Sequence, residues 1–255
     1  MSSKFGLSFI DKDISEYIAD PTIAVHTYDD FSLRMVSMYI PMPDPKVQTV
    51  DLPFSNGSVD LTEAAGVTPY ADRKGLSFEF VYFGDLIDWP LMTHRIANFL
   101  HGKRILMIAD NDPSYYYVVR LDLDSQKSSK IACKVVLSGT AEPFKYTLVA
   151  TSDPWLWDPF RFPDGEIIST ADIIVNGTTT VTIPAGGVMT SPSFIVTQAG
   201  AGLGVVYNTN PPRTLNMPAT GTYRFPQIKA GGDSATTITL VGQGRVSVVY
   251  RSKYL

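Results

Sequence analysis

The chain has 255 residues, 44% hydrophobic and 18% charged, with a formal net charge of −4 and a single cysteine. That supplies apolar material for one large or two ordinary cores and too little charge for disorder. No apolar run approaches the ~18 residues of a membrane-spanning helix, and one cysteine excludes an intrachain disulfide.

The charge is unevenly spread. Residues 1–165 carry 15 Lys and Arg against 22 Asp and Glu, a balance of −7, whereas residues 166–255 carry 6 against 3, a balance of +3. An acidic first part argues against binding a phosphate backbone, which needs clustered Lys and Arg, and the second part holds no such cluster. The opening MSSKFGLSFIDKDISEY ends its apolar run at Ile10, before two acids. That is too short for a secretory signal, so synthesis in a cytoplasm without a signal peptide is expected.

From residue 40 to 73 the chain reads as extended and poorly periodic. MPDPKVQTV is followed by LPFSNGSVDLTEAAGVTPYADR, with Asp60 placed to cap a short helical turn, Glu63 as its capping-box partner and Gly66 behind them. KGLSFEFVYF (74–83) then alternates Leu76, Phe78, Phe80 and Tyr82 against Ser77, Glu79 and Val81, which predicts a strand. A helix is predicted over 88–101, DWPLMTHRIANFLH, with Asp88 as cap, Pro90 in the first turn and Gly102 after the last. Trp89, Met92, Ile96, Phe99 and Leu100 form its buried stripe, and Lys103 and Arg104 sit at the negative end of its dipole.

RILMIA (104–109) and YYYVVRLDLD (115–124) read as strands joined by the turn DNDPS, with Asp122 and Asp124 on one solvent-facing side. IACKVVLSG, with Cys133 as a small buried hydrophobe, and PFKYTLVA complete a mostly antiparallel unit. TSDPWLWDPFRFPDG (151–165) has prolines at 154, 159 and 163 and no periodicity, as a linker between domains does. Residues 166–255 are rich in Thr, Val and Gly, the pattern of a small β-sandwich. Within them Asn176-Gly177, between IIV and TTTVTI, predicts a type I′ hairpin turn. As glycosylation sequons, Asn56-Gly57-Ser58 and Asn176-Gly177-Thr178 carry no meaning outside the secretory route.

The chemistry-bearing residues do not assemble into a known site. His26, His94 and His101 lack further Cys or His at ligand spacing, and no G-x-S-x-G elbow accompanies them. DNDPSYYYVVRL opens like a calcium loop but has Tyr115 where Gly is needed and Leu121 where a bidentate Glu belongs. Asp60 and Glu63 form the one plausible acid–base pair, and the capping role accounts for both. NTNPPR (208–213) has a vaguely lectin-like polarity, but Trp89, Trp155 and Trp157 all precede the second sandwich. A proline-rich loop is the better reading there. No catalytic residue, metal ion or cofactor is expected.

In order along the chain, LPFSNGSVDLTEA, GVTPYADRKGLSFEF, a helix ending NFLHGK, DNDPSYYYVVRLDLD and AEPFKYTL together resemble the distal tail (Dit) proteins of siphophages. The likeness covers about residues 40–150, with Val119 standing where glycine is expected before Arg120, and is looser beyond. It implies a mainly β chain. An N-terminal β-sandwich with one α-helix (1–153) would carry a belt segment (40–73), followed by a linker (154–165) and a galectin-like β-sandwich (166–255).

It further implies a homohexameric ring at the distal end of the virion tail. Such a hub joins the tail tube to baseplate or tail-tip proteins and lets tape measure and DNA pass without specific binding. Pro53, Asn56, Gly57, Asp60, Leu61, Tyr70 and Arg73 would then belong to the belt interface. Acidity in a lumen would keep DNA from sticking. Two other expectations remain open, a carbohydrate-binding adhesin contacting the host wall and a wall hydrolase using Asp60 and Glu63.

Overall fold

The computed structural model describes residues 5–54, 56–64, 66–127, 132–153, 170–208 and 211–255. The chain is mainly β and divides into two compact units, one up to Lys145 with the terminal Leu255, the other Tyr146–Tyr254. None of the described helices is long and apolar enough to cross a membrane.

The first unit is built on β1 (Leu7–Ile10), β2 (Val25–His26), β3 (Leu33–Tyr39), β4 (Thr49–Asp51), β5 (Ser58–Asp60), β6 (Arg73–Tyr82), β7 (Arg104–Ala109), β8 (Tyr115–Lys127) and β9 (Cys133–Ala141). Its main sheet runs β2-β1-β7-β8-β9-β6-β3, antiparallel throughout. One face of nearly every strand feeds a single core, as period-two alternation requires. Leu76, Phe78 and Phe80 of β6 are fully buried, as are Phe9, Met107, Leu121 and Leu137 from β1, β7, β8 and β9. Cys133 is buried on β9 as expected.

Among the described residues three α-helices accompany the sheet, α1 (Ile14–Ala19), α2 (Thr27–Phe31) and α3 (Trp89–Leu100). The first two were not anticipated, because helices of 6 and 5 residues are too short to display a 3.6-residue period. In α3, Trp89, Ile96 and Leu100 enter the core, with Met92 and Phe99 packed against it at its edge. Thr93, buried on the same face, escapes a purely apolar count because its hydroxyl donates to the Trp89 carbonyl at 2.9 Å.

The expected cap is corrected. Asp88 makes no side-chain cap bond; Asp85 instead accepts the Ile87 N–H at 3.0 Å, one turn earlier. Gly102 has the left-handed φ of 69°, yet its N–H donates to Leu121 O of β8 at 2.8 Å and so joins helix to sheet. Lys103 Nζ donates to Asn98 O at 2.7 Å, which satisfies a last-turn carbonyl. The DNDPS turn is structural, with Asp110 accepting the Gly6 N–H at 2.8 Å and Asp112 paired with Lys145 at 2.7 Å.

A short strand, β10 (Lys145–Thr147), spans the division between the units. The expected boundary at Asp153 therefore falls inside the second unit. Thr151 N–H donates to Tyr250 O at 3.0 Å, Thr147 N–H to Ser252 O at 3.0 Å, and Arg251 pairs with Asp153 at 3.3 Å. The 154–165 linker lies outside the described residues.

The second unit contains β11 (Ile173–Ile183), β12 (Gly186–Thr190), β13 (Ser193–Ala199), β14 (Gly204–Tyr207), β15 (Arg213–Asn216), β16 (Gly221–Arg224), β17 (Ala230–Gly232) and β18 (Thr236–Val249). β12 and β17 pair with each other. The others form one sheet, β15-β14-β18-β13-β16, with β11 also on β18. The Asn176-Gly177 hairpin turn is overturned: these residues lie inside β11, opposite Gln243 and Gly242, in one unbroken pairing from Ile173↔Val246 to Ile183↔Thr236.

The glycines serve a bend instead of a reversal. Gly177 and Gly242 face each other with φ of 88° and 95°. On one side of this point β18 pairs with β14, on the other with β13. A Cβ on Gly242 would fall 2.3 Å from the backbone of Gly202. The ribbon can thus serve two leaves around one core, in which Val181, Ile238 and Val205 join Val175, Phe194 and Val246.

Candidate functional site

The segment after β3 leaves the main sheet and forms a two-stranded arm. Its two sides meet at an isolated bridge between Pro45 and Tyr70, with Lys46 N–H donating to Pro69 O and Ala71 N–H to Asp44 O, each at 2.8 Å. Further out, Leu61 N–H donates to Gln48 O at 2.8 Å, and Gln48 N–H donates to the hydroxyl of buried Thr62 at 3.0 Å. β4 and β5 then pair as Thr49↔Asp60, Val50↔Val59 and Asp51↔Ser58, a sheet of two strands only. Pro53, Asn56 and Gly57 lie at the exposed tip, where Gly57 supplies a φ of 80°.

Every residue of β4 and β5 is exposed. Met42, Val47, Val50, Leu52, Phe54, Val59 and Leu61 all present large apolar side chains to solvent. Phe54 also holds a left-handed φ of 65°, a conformation that bulky residues adopt only when something constrains them. A two-stranded ribbon in water is marginal on its own, and a run of exposed apolar side chains marks a contact surface.

Arg73 sits at the base of the arm and is turned inward, 2% exposed. Its Nη1 donates to Pro41 O at 2.8 Å and its Nε to Pro143 O at 3.0 Å, while its guanidinium carbon lies 5.6 Å from the ring centre of Tyr117. Among the described residues its Nη2 has no partner, and burial pushes its pKa down. Tyr70 packs edge-on against Phe144 at 5.9 Å. Arg73 and Tyr70 thus fix where the arm leaves the body, and the exposed Leu61 and Asp60 belong to the arm proper.

Asp60 and Glu63 do not form the expected capping box, and no helix begins there. Asp60 accepts from both the hydroxyl and the N–H of Thr62, which lowers its pKa, the hydroxyl contributing more. A carboxylate held ionised and exposed in this way is a poor proton donor. Glu63 accepts instead from the Thr68 hydroxyl at 3.0 Å. Gly66, at φ 82°, closes the turn by donating its N–H to Glu63 O at 2.7 Å.

The histidines stand apart from one another. His101 Nδ1 accepts the Leu123 N–H at 3.1 Å, His94 is exposed, and His26 lies between Asp110 at 3.2 Å and Asp29 at 3.4 Å. Among the described residues no group of three or more His, Cys, Asp or Glu is placed to hold a metal ion. A shallow cleft of about 440 Å³ is lined by Asp72, Arg104, Arg120, Thr140, Glu142 and Pro143, with Arg104 paired to Glu142.

No family model matches the chain, and no curated protein matches it either. Its fold does match a solved structure along almost its whole length. The Dit (gp 19.1) protein of phage SPP1, described as a paradigm of hub adsorption apparatus in Gram-positive-infecting phages, aligns with a TM-score of 0.59. The alignment covers 98% of this chain and 99% of that one at 12% sequence identity. The chain therefore has the fold of that Dit protein, and both units take part in the likeness.

Proposed function

We propose that the protein is a structural distal tail protein of a siphophage and forms a hexameric ring at the end of the tail tube. The carrying observation is the arm over residues 40–73, which exposes a row of large apolar side chains and whose strands β4 and β5 pair, among the described residues, only with each other. Such an arm is a burden to a lone subunit, whereas a closed ring hides it. The likeness of fold to the SPP1 protein over both units supports the same reading.

In this account the first unit makes the ring, and its acidic balance, 14 Lys and Arg against 19 Asp and Glu over residues 1–145 or −5, repels passing DNA. The second unit, a galectin-like β-sandwich in this reading, attaches baseplate or tail-tip proteins. Electron microscopy of the purified protein is the test. Closed rings with a central hole support the reading, as does labelling at the tail end of intact particles. Single globular particles at every concentration, together with the protein's absence from tails, overturn it. Tight binding of the second unit to host-wall polysaccharide would favour the adhesin instead.

A further inference from the structure

A ring of identical subunits joined head to tail needs two different surfaces on each subunit, one to give and one to receive. Among the described residues of the first unit, Phe5 and Leu255 apart, exposed large apolar side chains fall into two groups. One is the arm with its root in β3, Val36 to Leu61. The other is Phe83, Leu86, Ile87 and Leu91, where β6 passes into α3.

The second group lies close together in the chain, and its first member is held in place. Phe83 N–H donates to Ser32 O at 3.0 Å, its ring lies 4.7 Å from Tyr28, and Arg34 stands 5.8 Å over it. Ile87 is 85% exposed at the turn that Asp85 holds, and Leu91 is 63% exposed in the first turn of α3. Arg95 follows Leu91 by four residues, hence on the same helix face, and is also exposed. The patch is open in the single subunit, so its own arm does not cover it.

We propose that this patch receives the arm of the neighbouring copy, with Phe54 and Leu52 entering between Ile87 and Leu91. This rests on the ring reading above and names the contact within it. Charge supports the pairing. The arm carries Asp51 and Asp60 beside its apolar residues, and the patch carries Arg34 at Phe83 and Arg95 beyond Leu91, with Asp85 and Asp88 between them in the chain. The acids of the arm are therefore steered to the two arginines and away from the two aspartates. Thirteen or so extended residues from Pro41 to the tip reach at most about 40 Å, well beyond a body whose radius of gyration is about 15 Å.

The test uses the full chain carrying Phe54→Cys with Ile87→Cys. The native Cys133 is buried and does not compete. On mild oxidation the double variant is expected to give a ladder of covalent species up to the closed ring, and each single variant none beyond a minor dimer. Ile87→Glu with Leu91→Glu should raise the concentration needed for half-assembly at least about tenfold, since a charge at the centre of a contact is poorly tolerated. Arg95→Asp should weaken assembly, and adding Asp60→Arg should restore it. Rings that persist unchanged in the Ile87 and Leu91 variant, while Phe54→Glu abolishes them, overturn the patch and leave the ring standing. A wild-type chain that never assembles, alone or in tails, removes both.

Discussion

Replacing Arg73 with alanine is expected to detach the arm from the body while leaving the main sheet folded. Hydrogen bonds from a charged donor contribute about 1.5–3 kcal/mol each, and the guanidinium makes two, to Pro41 O at 2.8 Å and Pro143 O at 3.0 Å. Its place over Tyr117 adds about 1 kcal/mol. Against this stands the cost of burying a cation with no carboxylate beside it, several kcal/mol. The net loss should be about 2–4 kcal/mol, confined to the arm because one bonded carbonyl, Pro41 O, lies at its root. Amide exchange over residues 44–72 should then quicken by about 30-fold or until protection is lost, with the core strands unchanged. Arg73→Met keeps the stem and sheds the buried charge, so it should lose less. Arm exchange in Arg73→Ala within about twofold of wild type would refute the anchoring role.

Gly242→Ala should destabilise the second unit by about 3 kcal/mol or more, read by urea unfolding, since its Cβ meets backbone at 2.3 Å and its φ is 95°. Gly177→Ala, with the same sign of φ but nothing within 4 Å of the added atom, should lose less. Asp60 has its pKa lowered in the fold, so what it contributes to the arm's turn is complete above its unfolded value. That contribution is lost only as pH falls through the lower folded one; protection of the Thr62 amide, its slowing relative to an unstructured amide at the same pH, should stay constant from pH 8 to about 5 and fall below about 4. Asp60→Asn with Glu63→Gln should remove no wall-degrading activity, and a preparation whose activity vanished in that variant would restore the hydrolase reading. A fragment of residues 146–255 should fold as a monomer and unfold reversibly, whereas 160–255 should be markedly less stable by thermal melt because it lacks the partners of Tyr250, Arg251 and Ser252.

What the sequence disclosed was whatever its local pattern encodes. β6 was legible because four alternate residues are large and apolar, and α3 because its stripe spans three turns. The arm was legible by lack of pattern, and its exposed side chains follow from that lack. Some failures are local, since α1 and α2 are too short to show a period and Asp60 and Asp88 do not bond as their cap spacing predicts, but the larger ones are non-local. Asn176-Gly177 carries a true turn signal, but its meaning is set by Gly242, far away in the chain, which makes a bend of what would otherwise be a reversal. Tyr146–Asp153 was assigned to the first unit because nothing in PFKYTLVA announces that its continuation bonds to residues 248–252. Arg73 carries the same chemistry facing in or out, and only the carbonyls of Pro41 and Pro143 decide which. Phe83, Ile87 and Leu91 carry no sequence signal, because they fall at the end of a strand, in a turn and off the buried face of α3, with no period in common.

The central claim, a closed ring of six, is tested most directly by native mass spectrometry of the purified full chain across a range of concentrations. The account predicts a species of about six times 28.0 kDa that grows with concentration, and few intermediates, because only closure covers every arm. A monomer of 28.0 kDa at all concentrations, from protein that tails also fail to contain, would contradict it.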